Sequence, residues 1–228
     1  MTQHEQQPPE HPAAAYYPAP AHAPAPPKDL TTFGVLAFST ATLATVFHVV
    51  NATVVGRAVR HIDDADQGNL DWSVAVYAIG SVLAGLALVG GWITASLWLF
   101  RARKNAEVIG PSALFVRSSG WAWGGWVCPI VSFWFPFQVV RDTHRAVTSS
   151  FSSTLVGWWW AFFLFMTVGG RIANQSQRDA TAADASGVQA TEIFFALVAV
   201  VTLVLWGLVL RQITREQHDR LYGRQAAA

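Results

Sequence analysis

Four long apolar runs, separated by polar segments, set the pattern of this chain. They span roughly residues 33–56, 72–100, 155–170 and 193–210, and none holds Asp, Glu, Lys or Arg in its interior. A helix rises about 1.5 Å per residue, so about 20 apolar residues cross a bilayer core. Runs of this length predict membrane-spanning helices. A fifth run, Trp121–Phe137, is 17 residues long and reads differently. Pro129 and Pro136 remove two backbone donors from it, and a helix interior tolerates that poorly. Its four tryptophans, Trp121, Trp123, Trp126 and Trp134, suit the headgroup level better than the hydrocarbon centre.

Charge placement decides whether that fifth run crosses. With four spans and both termini inside, the inside segments hold 11 Lys and Arg and the outside loops hold 4. Letting the run cross would leave 7 inside and 8 outside. Cytoplasmic loops carry the excess of Lys and Arg in membrane proteins. The expectation is therefore four spans with both ends cytoplasmic and a re-entrant or interfacial element over 121–140. The fold class follows as an all-α membrane protein: four transmembrane helices plus a proline-broken aromatic helix.

Composition supports this reading. Apolar residues make up 52% of the 228 and charged residues 13%, about half of what a soluble domain carries. The formal net charge of +1 provides no field for nucleic acid. The one cysteine, Cys128, provides no disulfide and no metal framework. Residues 1–30 form a Pro/Ala-rich tail, with eight prolines and seven alanines in the first 28 positions. Such composition favours an extended chain without a core, and its PxxP matches (Pro9–Pro12, Pro24–Pro27) read as spacer rather than ligand. The first 27 residues have no Lys or Arg and no apolar h-region, so no cleavable signal peptide is expected. Residues 31–211 make the membrane domain, and 212–228 an amphipathic cytoplasmic segment.

Few residues offer chemistry. His48 and Asn51 stand three apart on one helix face of the first span, a polar pair in an apolar setting. Residues 57–71 read as a solvated acidic loop. Asp64, Asp66 and Gly68 resemble a calcium loop, but Ala75 stands where the bidentate Glu belongs. Ser81 with Gly85, and Gly91 with Ala95, are small-xxx-small pairs that let helix backbones approach closely. The box after the second span holds Arg101, Arg103, Lys104, Asn105 and Glu107. There Arg103 and Glu107 are spaced to pair, and the cations could anchor lipid phosphates. No metal, cofactor or catalytic constellation is visible. A lipid-modifying enzyme would have to draw on Cys128, His144 and Glu107.

The motifs RARKNAE, GWAWGGWVCPIVSFWFPFQVVRD and VGWWWAFFL together resemble a bacterial, mostly actinobacterial, membrane family known as a domain of unknown function. The likeness rests on Arg101, Arg103, Asn105 and Ala106, on Gly120, Trp121, Trp126, Pro129, Trp134, Pro136 and Gln138, and on Gly157–Trp160, and covers about 72–211. It implies a plasma-membrane protein and brings no activity or cofactor with it. The expected function is a non-enzymatic scaffold or sensor, with a channel or transporter for a small neutral or amphipathic solute as the alternative. Expected partners are the bilayer and proteins reached through the tail, with homo-oligomerisation open.

Overall fold

A computed structural model describes residues 29–63, 71–148, 153–178 and 180–222. Most of the tail with its PxxP matches, residues 64–70 of the acidic loop and the last six residues lie outside that description. The order is α1 (Thr31–Asp63), α2 (Trp72–Ile109), α3 (Trp121–Val127), α4 (Phe135–Val147), α5 (Thr154–Leu164), a π turn (Phe165–Gly169), α6 (Gly170–Ser176) and α7 (Ala185–Tyr222). No strand occurs among the described residues. Four helical stretches are long and apolar enough to cross a membrane: α1, α2, α5 through α6, and α7. An even number of crossings returns the chain to its starting end. Asp29 and Leu30 indeed share a surface recess with His218 and Tyr222.

The helices outrun the apolar runs. At 38 residues each, α2 and α7 are ~57 Å long, against a hydrocarbon core of ~30 Å. Beyond the core a helix needs no apolar side chains, only the absence of a stop signal. Thus α1 continues past Gly56 to Asp63, where a loop was expected, and α6 continues past Arg171 to Ser176. Local chemistry fixes the starts. The Asp71 carboxylate accepts from Ser73 N (2.8 Å) and caps α2. It also receives Arg57 Nη2 from α1 at 2.8 Å, which ties the two helices together at their shared end. The guanidinium, together with the Ser73 donors, holds the Asp71 carboxyl well below the usual carboxylate range. Thr181 and Asp184 form a reciprocal capping box just before α7.

The aromatic run does not form one helix. Cys128, before Pro129, is extended, as a pre-proline residue prefers, and α3 ends there. A 3-10 turn (Val131–Phe133) follows. Pro136 then lies in the first turn of α4, where its missing N–H has no intrahelical partner to lose. Seven residues apart, the two prolines would share nearly one face of a continuous helix. Instead they bracket a chain break between two short helices.

Helix α1 packs along α2 and α7, and α5 leans on α7. Gly207 on α7 permits part of this, since a Cβ there would stand 2.7 Å from the Phe38 ring. Outward faces remain apolar: Val82, Leu86 and Leu197 are each more than 60% exposed. Contiguous apolar surface of that kind suits lipid, not water. At one end α2, α4 and α7 extend together past the apolar zone. That end also carries Arg101, Arg103, Lys104, Arg117, Arg141, Arg145 and Arg211, and it is the basic end below.

Candidate functional site: an intramembrane cavity beneath a polar cap

The basic box points inward more than outward. Arg103, 3% exposed, lies on the Phe115 ring at 3.5 Å and donates from Nη2 to Arg117 O (2.8 Å). Its Nη1 stands 3.2 Å from Glu107 Oε1, the i,i+4 pairing expected from the sequence. Lys104 Nζ reaches the other Glu107 oxygen at 3.1 Å and stays exposed. Arg101 covers the Phe33 ring at 3.9 Å, and Asn105 is buried beside the recess that holds Asp29, Thr214 and Gln217. Guanidinium planes stack on aromatic faces more readily than ammonium groups do, which accounts for arginine at these positions.

The motif residues of the aromatic element brace this cap. Gln138 accepts from Arg117 Nε (3.1 Å), and Arg117 in turn lies over Phe135 at 4.0 Å. Trp121 meets Phe135 edge-on at 4.5 Å, and Pro136 is buried beside Gly125. Pro129 and Trp134 are exposed. Trp126 contacts Trp160 and Phe163 of α5, while Trp123 meets Trp92 of α2.

Sequence reasoning missed the centre of the cap. Asp142, 2% exposed, accepts Val116 N at 3.1 Å and Arg141 Nη2 at 2.9 Å. Gln217 donates to Ala102 O (2.7 Å), and the Trp98 indole donates to Thr214 Oγ1 (3.2 Å). His144 Nε2 lies 3.2 Å from Gln212 Oε1, and burial pushes its pKa down from the ordinary value. A signal existed. In α4, Val139, Val140, Thr143, Ala146 and Val147 form the buried stripe, and Asp142 and His144 fall on the same stripe at helical spacing. Among the described residues, no hydrogen bond or ion pair joins Cys128, His144 and Glu107. Cys128 is exposed at the end of α3.

Below the cap a cavity of about 300 Å3, open on one side, lies between α1, α2, α5 and α7, with Trp126 of α3 above it. Its α1 and α2 sides are rich in small residues such as Ala41, Ala44, Ala87 and Gly91, with Leu88 and Trp92 also on α2. Its opposite side is rings, including Trp159, Phe163 and Trp206. His48 lines it. Asn51, three residues on, turns to α2 instead and donates to Ser81 Oγ at 3.0 Å. Gly80 gives that amide its room, since any Cβ there would collide with the Asn51 oxygen. The polar pair of the first span thus divides into one residue that joins helices and one that faces the cavity. The π turn also contributes Thr167 to the wall, and π turns inside helices recur at functional sites.

The cavity and cap touch through rings. Trp206 stacks on Trp159 at 4.8 Å and meets Trp98 edge-on at 5.6 Å, and Trp98 carries the bond to Thr214. No curated protein and no solved structure matches this chain. A family model does match, over residues 61–215, and takes in the basic box, the aromatic element, α5, α6 and most of α7. By that match, this multi-helix membrane chain belongs to the family described as Domain of unknown function (DUF4328).

Proposed function

We propose that this protein is a non-enzymatic sensor of the bacterial plasma membrane. In this reading it holds a small apolar or amphipathic molecule between its spans and reports occupancy at its basic end. The observation that carries the reading is the 300 Å3 cavity, a volume at the lower end of small-molecule sites. The wall has no charged side chain, so a neutral guest fits and an ion does not. Support for the report comes from the contact from Trp206 through Trp98 to Thr214, which joins the wall to the cap. The positive-inside tendency orients the basic end toward the cytoplasm. There the cap and the proline-rich tail would meet protein partners.

Hydrogen exchange in lipid nanodiscs tests this with toluene as the probe guest. Saturating toluene is expected to slow exchange in residues 135–147 and 212–222. A cavity that fills while both segments exchange as before would contradict the sensor. A second reading, passage of a small neutral or amphipathic solute, draws on the π turn, because an irregular helix against a cavity is a place to hinge. Solute flux into proteoliposomes at a rate proportional to protein would favour it over sensing.

A further inference from the structure

The shape and chemistry of the cavity narrow its guest, on the reading that it is a binding site at all. Along α1 the lining runs from Ala37 to His48, ~16 Å of helix. One side is floored mainly by alanine and glycine, with Leu88 and Trp92 beside them, and the other is faced mainly by indole and phenyl rings. The space is therefore a slot and not a sphere. An apolar cavity of about 150 Å3 takes one benzene ring, so about 300 Å3 suits two fused rings. Flat aromatic bodies also gain from stacking and edge contacts with ring walls.

Polar recognition has one focus. The hydroxyls of Thr45, Thr167 and Thr202 line the slot, but each already donates to a carbonyl of its own helix, at 2.9, 2.9 and 2.8 Å. Indoles donate only. Of the lining side chains, only the His48 imidazole offers both a donor and an acceptor.

The route in is lateral. Helices α2 and α5 scarcely touch, and α3 spans the gap between them at the basic end. Leu88 both lines the cavity and is 59% exposed on the lipid-facing surface. A guest arriving this way is dissolved in the bilayer, hence neutral and mostly apolar.

We propose that the slot binds a neutral fused-ring aromatic compound bearing one hydroxyl or carbonyl group, admitted from the bilayer between α2 and α5 and recognised at His48. The test is equilibrium binding to the full chain in nanodiscs, read by tryptophan fluorescence at matched mole fractions of probe in lipid. The probes are 2-naphthol, 2-methylnaphthalene (the same shape without the hydroxyl) and 1-decanol (the same hydroxyl on a chain).

2-Naphthol is expected to bind saturably, at least tenfold tighter than either of the others. His48→Leu should erase the preference over 2-methylnaphthalene. Ala44→Phe, which fills the slot, should weaken 2-naphthol at least tenfold, and Ala87→Phe makes the same test from α2 should the first variant fail to fold. Equal binding of 2-naphthol and 2-methylnaphthalene would overturn recognition at His48. Tighter binding of 1-decanol would overturn the ring class and leave the cavity reading standing. Unchanged binding in a folded slot-filling variant would overturn the cavity reading itself.

Discussion

The basic end and the middle of the bundle are built on opposite terms. At the basic end, polar and charged groups are buried and joined: Arg103, Asp142, His144 and Gln217 are all less than 4% exposed. In the middle, the polar groups are few, small side chains of α1 and α2 face rings of α5 and α7, and space remains. Lipid tails give apolar helices no reason to prefer one another, so association in the bilayer depends on close packing and specific bonds. The cap supplies those bonds, which leaves the middle free to stay open. A membrane protein can thus keep a cavity where its helices are most apolar, provided its order is enforced elsewhere.

The largest expected effect comes from breaking the cap. Asp142→Ala removes the acceptor of Val116 N and the partner of Arg141, and leaves Arg103 with less opposing charge. Removing one member of a buried charged network costs about 3–5 kcal/mol. Chemical unfolding of the nanodisc-embedded protein should show that loss. A matched pair of enlargements sharpens the contrast. Ala106→Leu in the fully buried cap should destabilise by about 1–3 kcal/mol through overpacking. Ala87→Leu adds the same atoms beside the cavity and should leave the unfolding midpoint unchanged or raised.

A smaller effect follows pH. His144 has a lowered folded pKa because it is buried, with the Arg145 charge adding to the shift and Gln212 and Glu216 opposing it. The unfolded chain therefore binds the proton more readily. Stability is complete above the ordinary histidine value of ~6.5 and falls as pH drops through it toward the folded value. His144→Gln should flatten that slope in a pH series of unfolding curves. The smallest effect lies at the opposite end. Asp71→Asn keeps a capping oxygen for α2 and loses the pair with Arg57, whose side chain is solvent-exposed. Its contribution is complete above the unfolded carboxylate range and is lost as pH falls below that range toward the much lower folded value, so the variant should differ from the parent at neutral pH and converge with it only in strong acid.

Much of the fold was legible because bilayer physics writes it in plain periods. Uncharged runs gave the four spans, and Pro129 with the flanking arginines marked the break in the fifth. The Arg103–Glu107 pair could be read from its spacing alone. The cavity could not be read. A stripe of alanine and glycine looks the same whether a partner closes on it or not. A Cβ at Gly91 would stand 3.6 Å from Thr40 Oγ1, whereas one at Gly85 would meet nothing within 4 Å. Which outcome holds depends on where the neighbouring helices sit, and a stripe of small residues does not carry that placement. The cap was hidden for the converse reason. Polar side chains at the ends of long helices look solvent-facing until the helices are known to bundle there.

Photolabelling of the nanodisc-embedded protein with a compact aromatic diazirine, 3-trifluoromethyl-3-phenyldiazirine, tests the central claim most directly. If the slot takes apolar guests, labels will concentrate in residues 37–48, 84–95 and 199–206, saturate with dose and fall when 2-naphthol competes. Labels spread over lipid-facing positions such as Val35, Leu86 and Leu197, rising linearly with dose and indifferent to competitor, would contradict it.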